Sequence, residues 1–282
     1  MRPSRTATRG VPGRLAWYAG LGIASGLALA LAVLPLLGLL LRVPPAALLA
    51  RLGTPVVLEA LRLSLVTSLV ATALVVAIGL PVAYLLATRR FPGKRVLEVL
   101  VDLPMVLPPT VAGLALLLAF GRMGIAGRAI GAFGLTLPFT TLGVVVAQAF
   151  MAAPFFILPV RAGLASVDRR YVDAAGTLRA SEAFTFFRVL LPLALPSVIA
   201  GAAMACARAL GEFGATLTFA GNLPGVTQTM PLAVYVALQT DLEGAVALSV
   251  LLLAMSVALL LALRLGPTGL FWTRPDARRS AR

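Results

Sequence analysis

The sequence contains no histidine and only one cysteine, Cys206. Without histidine, the chain has no imidazole to act as a general base, a metal ligand or a proton relay. One sulfur cannot form an intrachain disulfide or a thiolate metal site, and Cys206 lies in an apolar stretch, where it is expected to be a small buried hydrophobe. Histidine-based catalysis and cysteine-based metal binding are therefore excluded.

Charge is also scarce. Charged residues make up 12% of the chain, about half the usual share in soluble domains. Hydrophobic residues make up 60%, and the mean hydropathy is +0.99. This composition predicts an all-α, polytopic membrane protein, and 282 residues suit about six spans of ~20 residues. The net charge of +14 does not indicate nucleic-acid binding, because the basic residues flank apolar runs.

A phosphate-binding loop of the form G-x-x-x-x-G-K-[ST] is missing as well. The only lysine, Lys94, follows Gly93 but precedes Arg95, and no second glycine stands at the required offset. The chain is therefore not expected to hydrolyse ATP or to carry a cofactor. We see no paired intramembrane aspartates and no metal ligands at depth, so we do not expect an enzyme.

Uncharged runs mark six predicted spans, each long enough to cross ~30 Å of hydrocarbon. The first run is too long for the apolar core of a signal peptide, and we interpret it as a retained anchor helix. The predicted spans are 15–41, 63–88, 103–121, a run within 129–160 that starts near Phe139, 191 to about 219, and 244–263.

The Lys and Arg residues predict the orientation. With both termini in the cytoplasm, eighteen of the 24 basic residues lie in inside segments and five in outside segments, while Arg208 lies within a span. We divide the chain into a cytoplasmic N-terminus with its anchor helix (1–55), a transmembrane domain (56–266) and a short basic cytoplasmic tail (267–282).

The longest inside segment lies between the fourth and fifth spans, at 161–188. Residues 173–179 are rich in small residues and helix formers, and Ser181 is a plausible N-cap with Glu182 in the first turn. We predict two short helices that expose small side chains. Such a surface suits a groove on another protein, and the alternative is an amphipathic turn lying on lipid headgroups.

This segment resembles the cytoplasmic loop of ABC importer permeases, whose pattern is E-A-A, three residues, G, nine residues, I-x-L-P. Asp173-Ala174-Ala175 takes the E-A-A place, and Val189-Leu190-Leu191-Pro192 lies at the required offset. The departures are Asp for Glu, Val for Ile, and Arg179 where the pattern has glycine, although Gly176 stands three residues earlier. We expect the arginine to alter the turn between the two helices.

The resemblance implies that this loop is a coupling helix seated in a groove of a separate ATPase subunit, which binds ATP and Mg²⁺. It also implies an extracytoplasmic oxyanion-binding protein, a second copy of the chain around the pathway, and a bacterial-type inner membrane. The residues that carry the coupling role by this likeness are Asp173, Ala174, Ala175, Gly176, Leu178, Arg179, Leu191 and Pro192.

Other strings are similar to molybdate permeases: Asp-Leu-Pro-Met-Val-Leu-Pro-Pro-Thr-Val-Ala-Gly at 102–113, Arg-Ala-Leu-Gly-Glu-Phe-Gly-Ala-Thr at 208–216, and Ala-Gly-Asn-Leu-Pro-Gly at 220–225. The likeness covers about 61–265 and implies molybdate as the transported anion. The alternatives are a sulfate, thiosulfate or tungstate permease. A secondary transporter is a further alternative, which predicts ion-coupling sites in several spans and inverted internal symmetry.

Arg208 and Glu212 stand four residues apart within the fifth span, and a lone charge at that depth is costly. The pair is either a structural ion pair or part of a pathway that guides an oxyanion. Gln148 in the fourth span either packs between helices or lines the same pathway, and Thr216 is a further pathway candidate.

Overall fold

The computed structural model describes residues 11–42, 44, 48 and 53–265, and the regular structure within them is helical. The predicted tail 267–282 lies outside these residues. In chain order the helices are α1 Val11–Leu41, α2 Pro55–Thr88, α3 Lys94–Val106, α4 Pro109–Phe120, α5 Gly127–Ala132, α6 Thr141–Ala165, α7 Arg169–Thr177, α8 Glu182–Thr185, a π-helical turn Phe186–Leu190, α9 Leu191–Leu210, α10 Gly214–Ala220, α11 Met230–Thr240 and α12 Leu242–Leu265.

Five helical runs in the described part are long and apolar enough to cross a membrane: α1, α2, α6, the run Glu182–Leu210 and α12. The predicted all-α, polytopic fold is confirmed. Most described side chains of α1 are exposed, and it packs lightly against α12, as suits a helix whose apolar surface meets lipid.

The third predicted span, 103–121, is not one helix. Leu107 and Pro108 are extended, with ψ near 133°, and they separate α3 from α4. Pro108 and Pro109 have no N–H to donate to a preceding turn, which is why the helix ends there. Neither helix alone reaches across ~30 Å, whereas the two in series rise ~38 Å at 1.5 Å per residue. Helix α3 begins at Lys94, nine residues before the predicted start of the span, and α4 is the apolar helix of the two.

The fifth predicted span, 191–219, is interrupted as well. Helix α9 ends at Leu210, and α10 begins at Gly214 after three non-helical residues. Irregular backbone at membrane depth is tolerated only where protein groups satisfy its polar atoms. The side chain of Glu212 provides that satisfaction, as described below.

Helix α11 is absent from the predicted spans, because its eleven residues are too few to cross a bilayer. It starts inside the bundle: Met230 is fully buried, and its N–H donates to Ser64 Oγ at 2.7 Å. Ser64 stands nine residues into α2, about 13 Å along that helix. The segment before α11 therefore folds back into the protein instead of forming a simple surface loop.

The core surrounds α6, which packs along α2 on one side and α9 on the other. Small residues let these helices approach closely: a Cβ on Gly79 of α2 would lie 2.8 Å from the Phe156 ring of α6. A second cluster joins α4, α6 and α10 through the buried side chains Ala112, Leu116, Ala147, Met151, Ala215 and Phe219.

The contact between α4 and α10 generates a prediction about stability. A Cβ on Gly113 would lie 2.7 Å from the carbonyl oxygen of Ala215, which is backbone and cannot rotate away. We expect Gly113→Ala to lower the free energy of unfolding by about 1–3 kcal/mol, as overpacking does. The measurement is unfolding by sodium dodecyl sulfate in mixed micelles.

Gly38→Ala in α1 is the matched control, because a Cβ at Gly38 meets no atom within 4 Å. Alanine favours a helix over glycine by up to about 1 kcal/mol, so the control should be neutral or slightly stabilising. Equal behaviour of the two variants would contradict close packing at Gly113.

Candidate functional site

The segment between α6 and α9 contains the two short helices that the sequence predicts. Asp168 caps α7, its Oδ1 accepting from the Arg170 N–H at 2.9 Å. Ser181 caps α8, its Oγ accepting from the Phe184 N–H at 3.2 Å, so the predicted N-cap is confirmed. Each helix therefore begins at a side chain that satisfies a free backbone donor.

The turn after α7 is closed by Arg179, which adopts the left-handed conformation with φ of 55°. Its N–H donates to the Gly176 carbonyl at 2.9 Å, and the Ala180 N–H donates to the Ala175 carbonyl at 3.0 Å. This pair of bonds forms a Schellman motif, in which glycine is the usual left-handed residue. The expectation that arginine would alter the turn is wrong, because the backbone keeps the geometry that glycine favours.

Pro192 shapes the other end of the segment. It has no N–H, and its ring would clash with the carbonyl of Arg188 four residues earlier in a regular α-helix. The chain widens instead into the π-helical turn Phe186–Leu190, where the Leu191 N–H donates to the Phe186 carbonyl. Helical structure thus continues from α8 into α9, so α8, the π-helical turn and α9 form one connected rod.

An apolar groove of about 530 Å³ opens on this surface. The side chains of Leu178, Phe184 and Tyr171 line it and are 82%, 54% and 56% exposed. Among the predicted coupling residues, Asp173, Ala174, Gly176, Leu178, Arg179 and Pro192 are exposed, Leu191 is half-buried and Ala175 is buried. The surface therefore offers apolar side chains around a concavity, the form that a protein interface requires.

Two contacts hold the segment to the bundle. Glu182 forms an ion pair with Arg89 at the end of α2, and this hydrogen bond raises the pKa of Arg89 above its ordinary value. The ring of Phe186 packs edge-on against Tyr84, with centroids 4.7 Å apart. The sequence analysis missed Arg89, because it stands 93 residues from Glu182 and no local pattern links them.

Arg208 and Glu212 meet at the break in the fifth crossing, with Arg208 Nη1 2.6 Å from Glu212 Oε2. The second carboxylate oxygen accepts from the Ala215 N–H at 2.8 Å. The Glu212 side chain is 1% exposed, whereas Arg208 is 24% exposed and lies over the Phe155 ring at 5.9 Å. The Glu212 carboxylate thus neutralises the charge of Arg208 and accepts a hydrogen bond from a free backbone N–H in the first turn of α10.

Gln148 and Thr216 are fully buried near this break. The side-chain nitrogen and oxygen of Gln148 and the hydroxyl of Thr216 have no hydrogen-bond partner among the described residues. Their chain neighbours Ala147 and Ala215 belong to one packed cluster of α6 and α10. A buried polar group without a partner is costly, so these groups are available to water or to a passing ligand.

Buried hydroxyls on α2 were not identified from the sequence. Ser64, Thr67 and Ser68 are fully buried, and Ser64 accepts from the Met230 N–H at the start of α11. Thr227 and Thr229, just before α11, are also fully buried. The signal is the spacing i, i+3, i+4, which puts the three α2 hydroxyls on one face of an apolar helix. Ser64 links α2 to the start of α11, whereas Thr67 and Ser68 donate to the Leu63 and Leu65 carbonyls of α2 itself.

The fold and these sites define a polytopic, α-helical transport subunit with interrupted crossings and an exposed helical segment at one end. The family model for the binding-protein-dependent transport system inner membrane component matches residues 76–266. The chain belongs to this family, whose members are multi-pass inner-membrane components of ABC transporters.

Curated relatives agree with this family. The molybdenum transport system permease protein ModB of Mycobacterium tuberculosis is 43% identical over 228 residues, which are 81% of this chain and 86% of that protein. ModB of Escherichia coli (strain K12) is 42% identical over 206 residues, 72% of this chain and 90% of that one. The sulfate transport system permease protein CysT of Salmonella typhimurium is 38% identical over 207 residues, 73% of this chain and 75% of that one.

A solved structure supports the fold. A chain of the bacterial alginate ABC transporter, in complex with an alginate pentasaccharide-bound periplasmic protein, superposes with a TM-score of 0.72. It is 13% identical, and the match covers 89% of this chain and 94% of that chain.

The ion pair at the break gives the second prediction. Glu212→Gln can still accept from the Ala215 N–H but leaves Arg208 without its counter-charge. We expect this substitution to lower the free energy of unfolding by about 1.5–3 kcal/mol, the usual contribution of a hydrogen bond to a charged group. The measurement is again unfolding in mixed micelles.

The double variant Arg208→Gln with Glu212→Gln separates pairing from local packing. It should lose less stability than the two single variants added together, by about 0.5–3 kcal/mol. Arg128→Gln, at an exposed arginine, serves as the control and should be neutral. Additive losses would contradict direct coupling between the two side chains.

Proposed function

We propose that this chain is the membrane-spanning permease subunit of an ABC importer for molybdate. The observation that carries the proposal is the 42–43% identity to ModB proteins over 72–81% of this chain. The Lys and Arg distribution supports an orientation in which both termini and the α7–α8 segment lie in the cytoplasm. Two copies enclose the pathway, and an extracytoplasmic binding protein delivers the anion.

The ATPase subunit seats on the α7–α8 segment. The exposed groove and the connected rod from α8 to α9 support this role, because a displacement at α8 moves α9 with it. Helix α9 is 20 residues long, about 30 Å, and it ends beside Arg208 and Glu212. ATP and Mg²⁺ bind to the partner, and ATP-driven movement of the segment reaches the break in the fifth crossing.

The chemistry at the break suits a compact, doubly charged oxyanion. Arg208 provides a positive charge with forked N–H donors, and Glu212 lowers its net attraction. Gln148 and Thr216 add uncharged hydrogen-bond donors, which bind an anion more weakly than a second positive charge would. A pathway requires this balance, because an anion that binds too tightly is not released.

Sulfate, thiosulfate and tungstate remain the alternative anions, and CysT of Salmonella typhimurium is 38% identical to this chain. Molybdate is favoured because the ModB proteins are more similar. A secondary transporter is disfavoured by the exposed α7–α8 segment, which such a mechanism would not use.

The third prediction tests the docking surface. Leu178 is 82% exposed, so Leu178→Glu should leave the fold intact while placing a charge in the proposed apolar interface. We expect at least a ten-fold loss of binding to the ATPase subunit, because hot-spot truncations at interfaces cost at least ~2 kcal/mol. Pull-down of the ATPase by tagged permease measures this. Leu135→Glu, at a leucine that is 52% exposed beyond α5, is the matched control and should bind normally.

The same complex, reconstituted in proteoliposomes with the binding protein, tests the anion. Uptake of radiolabelled molybdate should require ATP and resist a ten-fold excess of sulfate. Uptake without any ATPase subunit would support a secondary transporter, and full competition by sulfate would support the sulfate alternative. Normal binding of the ATPase subunit by Leu178→Glu would contradict the proposed docking surface.

A further inference from the structure

Arg179 occupies a backbone conformation that arginine disfavours. Only two non-glycine residues in the described ranges have positive φ, and Arg179 is one of them, at 55°. The two Schellman hydrogen bonds fix this conformation, and neither of them uses the arginine side chain. Glycine would make the same turn without the steric cost. Backbone strain held by its surroundings at one residue indicates a role for that side chain.

The side chain has a free charge at the edge of the groove. Arg179 is exposed, and its neighbours Leu178 and Ala180 both line the groove. Its guanidinium forms no hydrogen bond or ion pair within the part of the chain that the structure describes. By contrast, the nearby acids Asp168 and Glu182 are each paired with an arginine already.

The surface around it is basic. Between residues 161 and 190 there are five arginines and three acids. Arg161 and Arg170 are paired with Glu98 and Asp168, so within the described residues three arginines and one acid, Asp173, are left without an ion pair. A partner that covers this surface must supply negative charge to avoid burying an unpaired guanidinium. The left-handed backbone fixes the direction in which the Arg179 side chain leaves the turn. The forked guanidinium at its end suits a carboxylate, with which it pairs through two parallel bonds.

We propose that Arg179 forms a bidentate contact with a carboxylate on the ATPase subunit, and that this contact determines which ATPase the permease accepts. The inference rests on the proposed function, because it assumes that the α7–α8 segment docks on that subunit. A protein carboxylate is favoured over a lipid phosphate because the adjoining groove is concave and lined by exposed Leu178 and Phe184. A protein side chain fills such a concavity, and a bilayer surface does not.

Arg179→Gly tests the proposal, because it should leave the stability of the permease unchanged or higher while weakening its binding to the ATPase subunit. Glycine relieves the backbone, so the purified permease should unfold at the same or a higher denaturant concentration than the wild type. The variant should nevertheless bind the ATPase at least ten-fold more weakly at low salt. Binding of the wild type should weaken as salt increases, and the variant should show a smaller salt dependence.

Arg169→Ala, at an exposed arginine in the first turn of α7, is the control for general basic charge and should bind within two-fold of the wild type. Equal loss in both variants, or unchanged binding of Arg179→Gly, would overturn the proposal. Unchanged ATPase binding with lower stability only in nanodiscs that contain phosphatidylglycerol would assign Arg179 to lipid instead. If the wild type fails to bind the ATPase, the proposed function itself fails.

Discussion

The structure depends on one carboxylate that satisfies the interrupted fifth crossing. A bilayer supplies no water to unpaired backbone groups, so a helix that breaks at depth needs partners from the protein. One carboxylate oxygen of Glu212 accepts from the Ala215 N–H, the other pairs with Arg208, and the side chain is almost fully buried. The Glu212 carboxylate, whose burial without a partner would be unfavourable, thereby stabilises the break between α9 and α10. Gln148 and Thr216 lie near this break with unused hydrogen-bonding capacity, which makes it the most polar part of the bundle interior around α6 and α10.

The exposed end of the molecule is joined to this break by continuous helix. Pro192 prevents a regular α-helical turn, and the chain forms a π-helical turn instead of ending the helix, so helical structure continues from α8 into α9. The Arg89–Glu182 ion pair and the Tyr84–Phe186 contact hold the same segment against α2. The segment is thus attached to both α9 and α2, and both helices pack on the central helix α6.

Hydropathy and capping rules predicted the fold class, the approximate positions of most long helices and the cap at Ser181, because these depend on local sequence. The break at Leu107–Pro108 was hidden by the apolar residues around it, although the paired prolines were a usable signal. The break at 211–213 depends on the hydrogen bond from the Ala215 N–H to the Glu212 side chain. A hydropathy profile contains no information about such a bond. Helix α11 was missed because an apolar helix too short to span resembles a loop. The conformation of Arg179 runs against its intrinsic preference, and only the hydrogen bonds of the surrounding turn determine it.

The most direct test of the account asks whether ATP bound by the ATPase subunit at the α7–α8 segment changes the exposure of the break. Cys206 is buried and is the only cysteine, so a Cys206→Ala background allows one new thiol to be followed. Thr216→Cys is placed at a fully buried position beside the break. Its reaction with a membrane-impermeant maleimide would be measured in the complete transporter, without nucleotide and with ATP trapped. The account predicts at least a ten-fold difference in rate between the two states. Equal rates, or no reaction in either state, would contradict it.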